Sequence, residues 1–240
     1  MPSAIVTHLT PDLVEPGSLE GSLAIVIDIL RASSTITAAL AAGAAAVVPL
    51  GEISQARAAA AGLTGAVLGG ERGGVRIEGF DLGNSPAEYT RAAVGGRTVL
   101  FTTTNGTRAL ERCAAARRVL VGSFLNLSAV IRAAAAFDGV VHLVCAGVSG
   151  KVCLEDVYAA GALAEGIGRG SCELDDASQL AVTAWRAVKS TPLDGALRAA
   201  HGGRNLVQIG LAGDIARCAA VDSLAIVAEM VGGRLVAARG

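Results

Sequence analysis

An acid and a base follow directly after a short apolar run near the start of the chain. The run from Ala24 to Ile29 is rich in β-branched residues, the pattern of a strand that is buried on both faces, so we expect Asp28 near its carboxyl end and Arg31 just beyond it. Ser33 and Ser34 come next and could cap the following alanine-rich helix. Ligands bind at this edge of an open α/β sheet, so Asp28 and Arg31 are candidate catalytic residues. A surface ion pair is the alternative interpretation.

Two later strand-like runs are also followed by acids. One stops at a glycine pair and presents Glu71 and Arg72, and another is followed by adjacent Glu155 and Asp156 at the start of a helix. With Asp28, these four carboxylates would converge on one rim of the sheet. Oxygen ligands without histidine or cysteine partners are what Mg²⁺ prefers, so the four acids are candidate metal ligands. Acids in a first helical turn can instead complement the helix dipole.

A polar loop without net charge separates a predicted strand at 97–101 from a predicted helix at 108–115. The loop contains Thr103, Thr104, Asn105 and Gly106. Hydroxyl groups and free backbone N–H groups at the start of a helix suit an anion such as phosphate. The lysine of a nucleotide-binding P-loop is absent, which excludes that motif. A simple helix cap is the alternative.

Composition limits the class of protein. The 240 residues are 52% hydrophobic and 17% charged, with a mean hydropathy of +0.54, yet the most apolar stretch, 37–50, is too short to span a bilayer. The first residues lack the pattern of a secretory signal, so we expect a cytoplasmic protein. A net charge of −1 and only 3% aromatic residues do not favour nucleic acid as a partner. A small-molecule ligand or a protein partner is expected instead.

Strand-like and helix-like stretches alternate along the chain. This alternation predicts an α/β fold, arranged as a layered helix/sheet/helix domain around a largely buried, mixed sheet. We expect residues 1–240 to form a single domain. Leu224 to Met230 and Arg234 to Ala238, joined through a Val-Gly-Gly turn, predict a C-terminal hairpin within 222–240. Its strands could pair within the fold or across a homo-oligomer. The five cysteines contain no C-x-x-C pair and are expected to be buried, reduced thiols.

Several motifs occur in one order along most of the chain. They are Val26–Thr35, Gly69–Arg72, Gly79–Pro86, Thr102–Arg108, Val121–Asn126 and Leu154–Asp156, with His201–Arg204 and Asp214–Cys218 as late matches. Together they resemble the 2-phosphosulfolactate phosphatase family. The resemblance implies an α/β fold and a Mg²⁺-dependent phosphatase. Such an enzyme hydrolyses the phosphate monoester of 2-phospho-3-sulfolactate to 3-sulfolactate and phosphate, a step of coenzyme M biosynthesis.

Roles for the candidate residues follow as hypotheses. The four acids would hold Mg²⁺ directly or through water, and one carboxylate would activate the attacking water. The threonine loop would hold the phosphoryl oxygens, while Arg31 and Arg72 would neutralise charge on the substrate. Asp28 is followed by Ile29 and Leu30 and does not begin the Asp-x-Asp-x-Thr signature of aspartyl-phosphate enzymes, so that route is not supported. His201 is a possible general acid or, as the alternative, a polar surface residue. Asp81 is a further candidate for the set of acids at this rim.

Two other functions stay open at this point. One is a phosphatase that acts on another small phosphorylated hydroxy acid, because the phosphoryl motifs do not define the rest of the pocket. The other is a non-catalytic anion-binding protein. Four clustered carboxylates argue against the second, since they weaken rather than strengthen anion binding.

Overall fold

The computed structural model describes residues 1–168 and 172–238. Its strands are β1 (Pro2–His8), β2 (Leu23–Ile27), β3 (Ala46–Pro49), β4 (Val67–Arg72), β5 (Val75–Arg76), β6 (Thr98–Thr102), β7 (Arg118–Gly122), β8 (Gly139–Cys145), β9 (Glu173–Leu174), β10 (Ala228–Val231) and β11 (Arg234–Ala237). Its helices are α1 (Ala32–Ala41), α2 (Ile53–Gly62), α3 (Arg91–Val94), α4 (Gly106–Arg112), α5 (Leu127–Ala135), α6 (Leu154–Ile167), α7 (Asp176–Val188), α8 (Leu193–Ala199), α9 (His201–Gln208) and α10 (Gly213–Cys218). The predicted α/β fold class is confirmed.

The strands form a mostly parallel sheet in the order β5-β4-β6-β3-β11-β10-β7-β2-β8-β1-β9. Strand β2 pairs in parallel with β7 and β8, and β6 pairs in parallel with β3 and β4. Antiparallel pairs occur at the short edge strand β5 and at the hairpin formed by β10 and β11. The sheet is therefore mixed, as the sequence predicted.

The C-terminal hairpin lies between two groups of parallel strands, β4-β6-β3 on one side and β7-β2-β8-β1-β9 on the other, and joins these two parallel units of the sheet. Strand β10 pairs with β7, and β11 pairs with β3 through Leu235 and Val47. The predicted hairpin is confirmed for its described part, and its strands pair within the fold. Residues 239 and 240 of the predicted range lie outside the described residues. The stretch 168–176, glycine-rich and then acidic, predicts a connector, and its residues 169–171 also lie outside the described residues. That residues 1–240 form one domain stays a prediction.

The hairpin also explains why strand ends from the two units meet. Three successive antiparallel pairings, β7 to β10, β10 to β11 and β11 to β3, reverse the chain direction between the units. Six strand pairings separate β4 from β2, and a twist of about 20–25° per pairing accumulates to roughly 120–150°. Reversal and twist together bring the direction of β4 back to within roughly 30–60° of β2. Their carboxyl ends can therefore converge.

Apolar side chains cover both faces of the sheet. In β2, Leu23, Ile25 and Ile27 pack into one core cluster, while Ala24 and Val26 pack into another on the opposite face. Successive side chains of a strand point to opposite faces, so a strand with apolar residues at every position must be covered on both sides. The fold is accordingly layered, with helices against the sheet.

The turn between β2 and α1 differs from its prediction. Ser33 and Ser34 lie inside the first turn of α1 rather than at its cap. The Oγ of Ser33 accepts a hydrogen bond from the Asp28 amide at 2.9 Å, and the Oγ of Ser34 donates to the Ile29 carbonyl at 2.9 Å. The Asp28 carboxylate instead accepts from the amide of Ala32 at 3.2 Å. The two serine hydroxyls thus link the end of β2 to the first turn of α1 through hydrogen bonds.

None of the helices found in 1–168 and 172–238 has the length and apolar character needed to cross a membrane.

Candidate active site

A pocket of about 240 Å³ lies where the loops after β2, β4, β6 and β8 meet the start of α9. Seven of the ten residues proposed from the sequence line it: Asp28, Arg31, Glu71, Thr104, Asn105, Glu155 and Asp156. The predicted convergence of four carboxylates on one site is therefore observed. A concave site with several convergent polar groups at strand ends is the usual place for a ligand in an α/β fold.

Glu71 uses both of its carboxylate oxygens to hold neighbouring loops. Its Oε1 accepts from the amide of Thr104 at 2.8 Å, and its Oε2 accepts from the amide of Gly74 at 2.6 Å. Thr104 follows β6 and Gly74 follows β4. Because charge-assisted hydrogen bonds to backbone N–H groups are strong, Glu71 fixes these two loops against each other.

Asp156 also uses both of its carboxylate oxygens to hold neighbouring loops, in the other parallel unit of the sheet. Its Oδ1 accepts from the amide of Ile29 at 2.9 Å, and its Oδ2 accepts from the amide of Gly147 at 3.0 Å. These amides follow β2 and β8. Asp156 thus holds the two central strand ends in position from the first turn of α6.

Asp28 and Glu155 each keep one oxygen without a partner among the described residues. Glu155 Oε1 accepts from the amide of Gly202 at 2.8 Å, whereas its Oε2 is buried and unpaired. Asp28 Oδ1 accepts from Ala32, while its Oδ2 would lie 2.9 Å from a Cβ placed on Gly106. Glycine at 106 therefore leaves room beside the unpaired Asp28 Oδ2. Glycine at 202 leaves room for Glu155 Oε1, the oxygen that its own amide binds, because a Cβ there would clash with it.

The carboxylates shift one another's pKa. Burial, followed by the charges of Glu71 and Glu155, raises the pKa of Asp28 to about 7. Burial also raises the pKa of Glu155. For Asp156, burial and then the charges of Asp28 and Glu155 hold the pKa well above its usual range. A cluster of this kind favours a bound proton or a cation, because either one relieves repulsion between like charges.

The sequence left open whether Asp28 and Arg31 form a surface ion pair, and the structure contradicts this alternative. Arg31 is buried, and its Nη1 donates to Oδ2 of Asp214 at 2.6 Å. Its Nη2 donates to the carbonyl of Gly74 at 2.6 Å, and Ser85 Oγ donates to the other oxygen of Asp214 at 2.5 Å. Arg31 therefore lines the pocket as part of a buried network.

Three residues proposed for substrate binding do not line the pocket. Arg72 donates to the carbonyls of Gly51 and Glu71, both at 2.8 Å, and to the Thr102 hydroxyl at 3.0 Å. Neighbouring side chains of a strand point to opposite faces, so Glu71 in the pocket places Arg72 on the other side of β4.

The other two, Thr103 and Gly106, lie just before and at the start of α4, and the threonine pairs with one amide of the first turn of the helix. Thr103 Oγ1 accepts from the amide of Thr107 at 3.2 Å. Gly106 is the first residue of the helix, beside Asp28. Thr104 and Asn105 are the members of the predicted anion loop that reach the pocket.

Of the remaining candidates, His201 lines the pocket and Asp81 does not. His201 begins α9 and lines the pocket, with an exposed side chain. Asp81 does not line it, because its Oδ2 accepts from the amide of Leu68 at 2.8 Å. Burial raises the pKa of Cys145 and Cys153, which makes both poor nucleophiles despite their position near the site.

Sequence reasoning missed Asn84, Asn205 and Asp214 as residues of the site. Asn84 and Asn205 line the pocket, and Asp214 holds Arg31. Asn84 and Asp214 both occur in motifs that carried the family resemblance, which was the one signal that could have found them. Asn205 carried no sequence signal, since it is a helical residue whose face becomes known only from packing.

The site is suited to a hard cation in its chemistry. Within 1–168 and 172–238, no three histidine, cysteine, aspartate or glutamate side chains lie together as a ready set of metal ligands. Asp28 and Glu155, each with one oxygen unpaired among the described residues, nonetheless line a pocket that has four carboxylates. Mg²⁺ keeps several waters and often uses only one or two protein carboxylates, so these residues fit it.

An α/β fold with a polar, acid-lined pocket at its strand ends belongs to the class of proteins that bind small molecules at this edge of the sheet. Comparison with known proteins narrows this class. Residues 8–233 match the family model described as 2-phosphosulpholactate phosphatase. Relatives named probable 2-phosphosulfolactate phosphatase include one from Caldanaerobacter subterraneus subsp. tengcongensis, 37% identical over 230 residues, which cover 95% of each chain.

Two further relatives carry the same name. The protein from Symbiobacterium thermophilum is 41% identical over 222 residues, 91% of this chain and 95% of the relative. The protein from Deinococcus radiodurans is 40% identical over 229 residues, 94% of each chain. The chain therefore belongs to the 2-phosphosulfolactate phosphatase family, and it is a phosphatase.

Proposed function

We propose that this chain is a Mg²⁺-dependent phosphatase that hydrolyses 2-phospho-3-sulfolactate to 3-sulfolactate and phosphate, a step of coenzyme M biosynthesis. The observation that carries the proposal is a pocket with two unpaired carboxylate oxygens, on Asp28 and Glu155, beside Thr104 and Asn105. The names of the relatives support the choice of substrate. A cytoplasmic location and a homo-oligomer stay predictions from the sequence.

The charge of the pocket supports the need for a cation. Four carboxylates line it, and the Arg31 guanidinium is already paired with Asp214. A substrate that carries phosphate, sulfonate and carboxylate groups would meet net repulsion there. When bound, Mg²⁺ supplies positive charge that offsets this repulsion and stabilises the phosphoryl oxygens in the transition state. Asp28 and Glu155 would hold it through their unpaired oxygens, directly or through water.

The roles of the protein groups follow from their contacts. Asp28 or Glu155 accepts a proton from the attacking water, because each lines the pocket and has one carboxylate oxygen without a partner among the described residues. Thr104 and Asn105 bind phosphoryl oxygens, and Glu71 orients them by accepting from the Thr104 amide. Asp156 holds the strand ends that carry Asp28. His201, at the rim, is the candidate donor of a proton to the leaving alkoxide oxygen.

The proposal is tested by phosphate release from 2-phosphosulfolactate with Asp28→Asn and Glu155→Gln. Both substitutions keep the size of the side chain and remove one proton acceptor and one cation ligand. We expect kcat to fall by on the order of 10²-fold to 10⁴-fold, while circular dichroism stays that of the wild type. Glu165→Gln is the matched control, since Glu165 pairs with Arg186 and Lys189 and none of the three lines the pocket. Wild-type kcat in both pocket variants would contradict these roles.

A further inference from the structure

Two buried side-chain atoms within 1–168 and 172–238 have no hydrogen-bond partner, and both belong to residues that line the pocket. They are Oδ1 of Asn84, a residue that is 5% exposed, and Oε2 of Glu155, a residue that is 2% exposed. Buried polar atoms are almost always paired in a folded protein, because an unpaired one is destabilising. That both exceptions occur at one pocket points to a ligand that pairs with them.

Both atoms are acceptors, which limits the chemistry of that ligand. An amide oxygen and an ionised carboxylate oxygen accept hydrogen bonds and donate none. The ionised phosphate, sulfonate and carboxylate groups of the proposed substrate are acceptors too, so they cannot pair with either atom. A cation, or a water molecule that a cation holds, can pair with both. Carboxylate, carbonyl and water oxygens are the ligands that suit Mg²⁺.

The backbone of Asn84 is fixed to the same helix that binds Asp28. Thr35 Oγ1 in α1 donates to the Asn84 carbonyl at 2.8 Å, and the amide of Ala32 donates to Oδ1 of Asp28. Three residues separate Ala32 from Thr35, which is about 4.5 Å along a helix axis. Asn84 therefore lies within one helical turn of the group that holds the Asp28 carboxylate.

The residue before Asn84 is fixed to the strand that carries another acid of the pocket. The Gly83 carbonyl accepts from the amide of Gly70 at 3.1 Å, and Gly70 directly precedes Glu71 in β4. Asn84 is thus held between the segments that carry Asp28 and Glu71. A buried side chain on a backbone that is fixed in this way is preorganised for binding, because little conformational freedom is lost when a ligand arrives.

We propose that Asn84 is a neutral oxygen ligand of the Mg²⁺ in the pocket, bound through its Oδ1 directly or through one water of the ion. This proposal rests on the proposed function, which supplies the cation. Within 1–168 and 172–238, no three histidine, cysteine, aspartate or glutamate side chains form a ready set of metal ligands. Together with Asp28 and Glu155, an amide oxygen provides a third ligand without a further negative charge that would repel the carboxylates.

The test measures Mg²⁺ binding to the EDTA-treated, dialysed protein by calorimetric titration without substrate. We expect Asn84→Ala to raise the Kd for Mg²⁺ about tenfold or more. Asn126→Ala is the matched control and should keep the wild-type Kd, because Asn126 is buried but does not line the pocket. Its Oδ1 accepts from the Ser123 amide at 2.9 Å and its Nδ2 donates to the Val121 carbonyl at 3.2 Å. In EDTA, Asn126→Ala should therefore lower the Tm more than Asn84→Ala does.

Asn84→Asp tests whether an oxygen at this position meets the cation. A charged oxygen in place of a neutral one should lower the Kd for Mg²⁺ below that of the wild type, because the charge of the ligands tunes the affinity of such a site. In EDTA the same variant should have a lower Tm, because it adds a like charge to the pocket. Asn205→Asp adds the same charge elsewhere in the pocket lining, so it controls for general attraction of the cation. Its Kd should lie between those of the wild type and Asn84→Asp.

Three results would overturn the inference. They are an equal Kd for Mg²⁺ in the wild type and Asn84→Ala, a Kd in Asn205→Asp as low as that in Asn84→Asp, and a wild type that binds no Mg²⁺. Failure of the proposed substrate has a separate signature, a wild type that binds Mg²⁺ and releases no phosphate from 2-phosphosulfolactate. The comparison of Kd values still decides the role of Asn84 in that case, because it uses no substrate.

Discussion

Arg31 and Asp214 form a buried ion pair although 183 positions separate them in the chain, with Nη1 of Arg31 2.6 Å from Oδ2 of Asp214. Arg31 follows the central strand β2, and Asp214 lies in α10. Ser85 donates to the second oxygen of Asp214. The pair therefore fastens the late helices of the chain to the wall of the pocket.

Removal of Asp214 should strongly destabilise the protein. Asp214→Ala leaves the Arg31 guanidinium buried without its counter-ion, which costs about 3–5 kcal/mol of unfolding free energy. Asp214→Asn keeps an acceptor and should cost less. Urea unfolding measures both. In the control, Glu229→Ala breaks the more exposed pair with Arg118 and should cost at most about 1 kcal/mol. Equal losses in Asp214→Ala and Glu229→Ala would contradict the importance of the buried pair.

Two carboxylates of the pocket should respond to neutralisation in opposite ways. In EDTA, Asp28→Asn should raise the Tm, because it removes one of several buried like charges. Glu71→Gln should lower stability by about 1–3 kcal/mol, because its amide NH₂ cannot accept from the Gly74 N–H that Glu71 Oε2 now binds. Thermal unfolding of both variants checks this. A Tm change of the same sign in both variants would contradict the distinction between Asp28, which has one unpaired oxygen, and Glu71, which has both oxygens hydrogen-bonded.

Mg²⁺ should stabilise the wild-type protein and not the pocket variants. A ligand that binds only the folded state at 100 times its Kd adds about 2.7 kcal/mol. We expect the Tm to rise with added Mg²⁺ in the wild type and in Glu165→Gln. Asp28→Asn and Glu155→Gln should show a much smaller rise, because each lacks one of the two unpaired oxygens. Equal shifts in all four proteins would place the cation elsewhere.

A histidine pair should make stability depend on pH. His8 Nε2 and His142 Nδ1 lie 2.9 Å apart, and the two rings stack. Burial, then the charge of His8, lowers the pKa of His142 from 6.5 to about 4. Between pH 4 and pH 6.5, His142 therefore binds more protons in the unfolded chain than in the folded protein. The contribution of His142 to the free energy of unfolding is present above pH 6.5 and is lost as pH falls toward 4.

The variant His142→Phe isolates that contribution. Its unfolding free energy, subtracted from that of the wild type at each pH, should give a difference that falls by roughly 1–3 kcal/mol between pH 6.5 and 4. The subtraction removes the opposing contribution of the pocket carboxylates. A difference that does not change over this range would mean that the folded His142 titrates like a free histidine.

The C-terminal hairpin should be essential for stability, because it joins the two parallel units. Leu235 is fully buried where β11 pairs with β3, so Leu235→Ala should cost about 2–5 kcal/mol. Val231, at the end of β10, is 52% exposed, and Val231→Ala should cost far less. Denaturant unfolding of the two variants tests this. Similar costs would show that the hairpin does not connect the units energetically.

Local patterns predicted the parts of the site that follow directly from strand ends. Asp28 comes after a continuous apolar run, and Glu155 and Asp156 open a helix, so their places near one edge could be predicted. Arg72 could have been corrected in the same way, because it neighbours Glu71 in a strand and must face the opposite side.

Other features depend on packing that no local pattern encodes. The pairing of Arg31 with Asp214 joins segments far apart in the chain. The insertion of the hairpin between β7 and β3 was not predictable either, since its alternating residues indicate strands but not their partners. Ser33 was predicted as a cap because serine is common there, and the observed contact of its hydroxyl with the Asp28 amide depends on the turn geometry.

The most direct test of the central claim is phosphate release from 2-phosphosulfolactate and phospholactate, with Mg²⁺ and with EDTA. We predict Mg²⁺-dependent hydrolysis that EDTA abolishes, with a higher kcat/KM for the sulfonated substrate. Equal turnover of both substrates would contradict the substrate assignment while retaining the chemistry. Hydrolysis that persists in EDTA, or no hydrolysis of either compound, would contradict the account of the pocket itself.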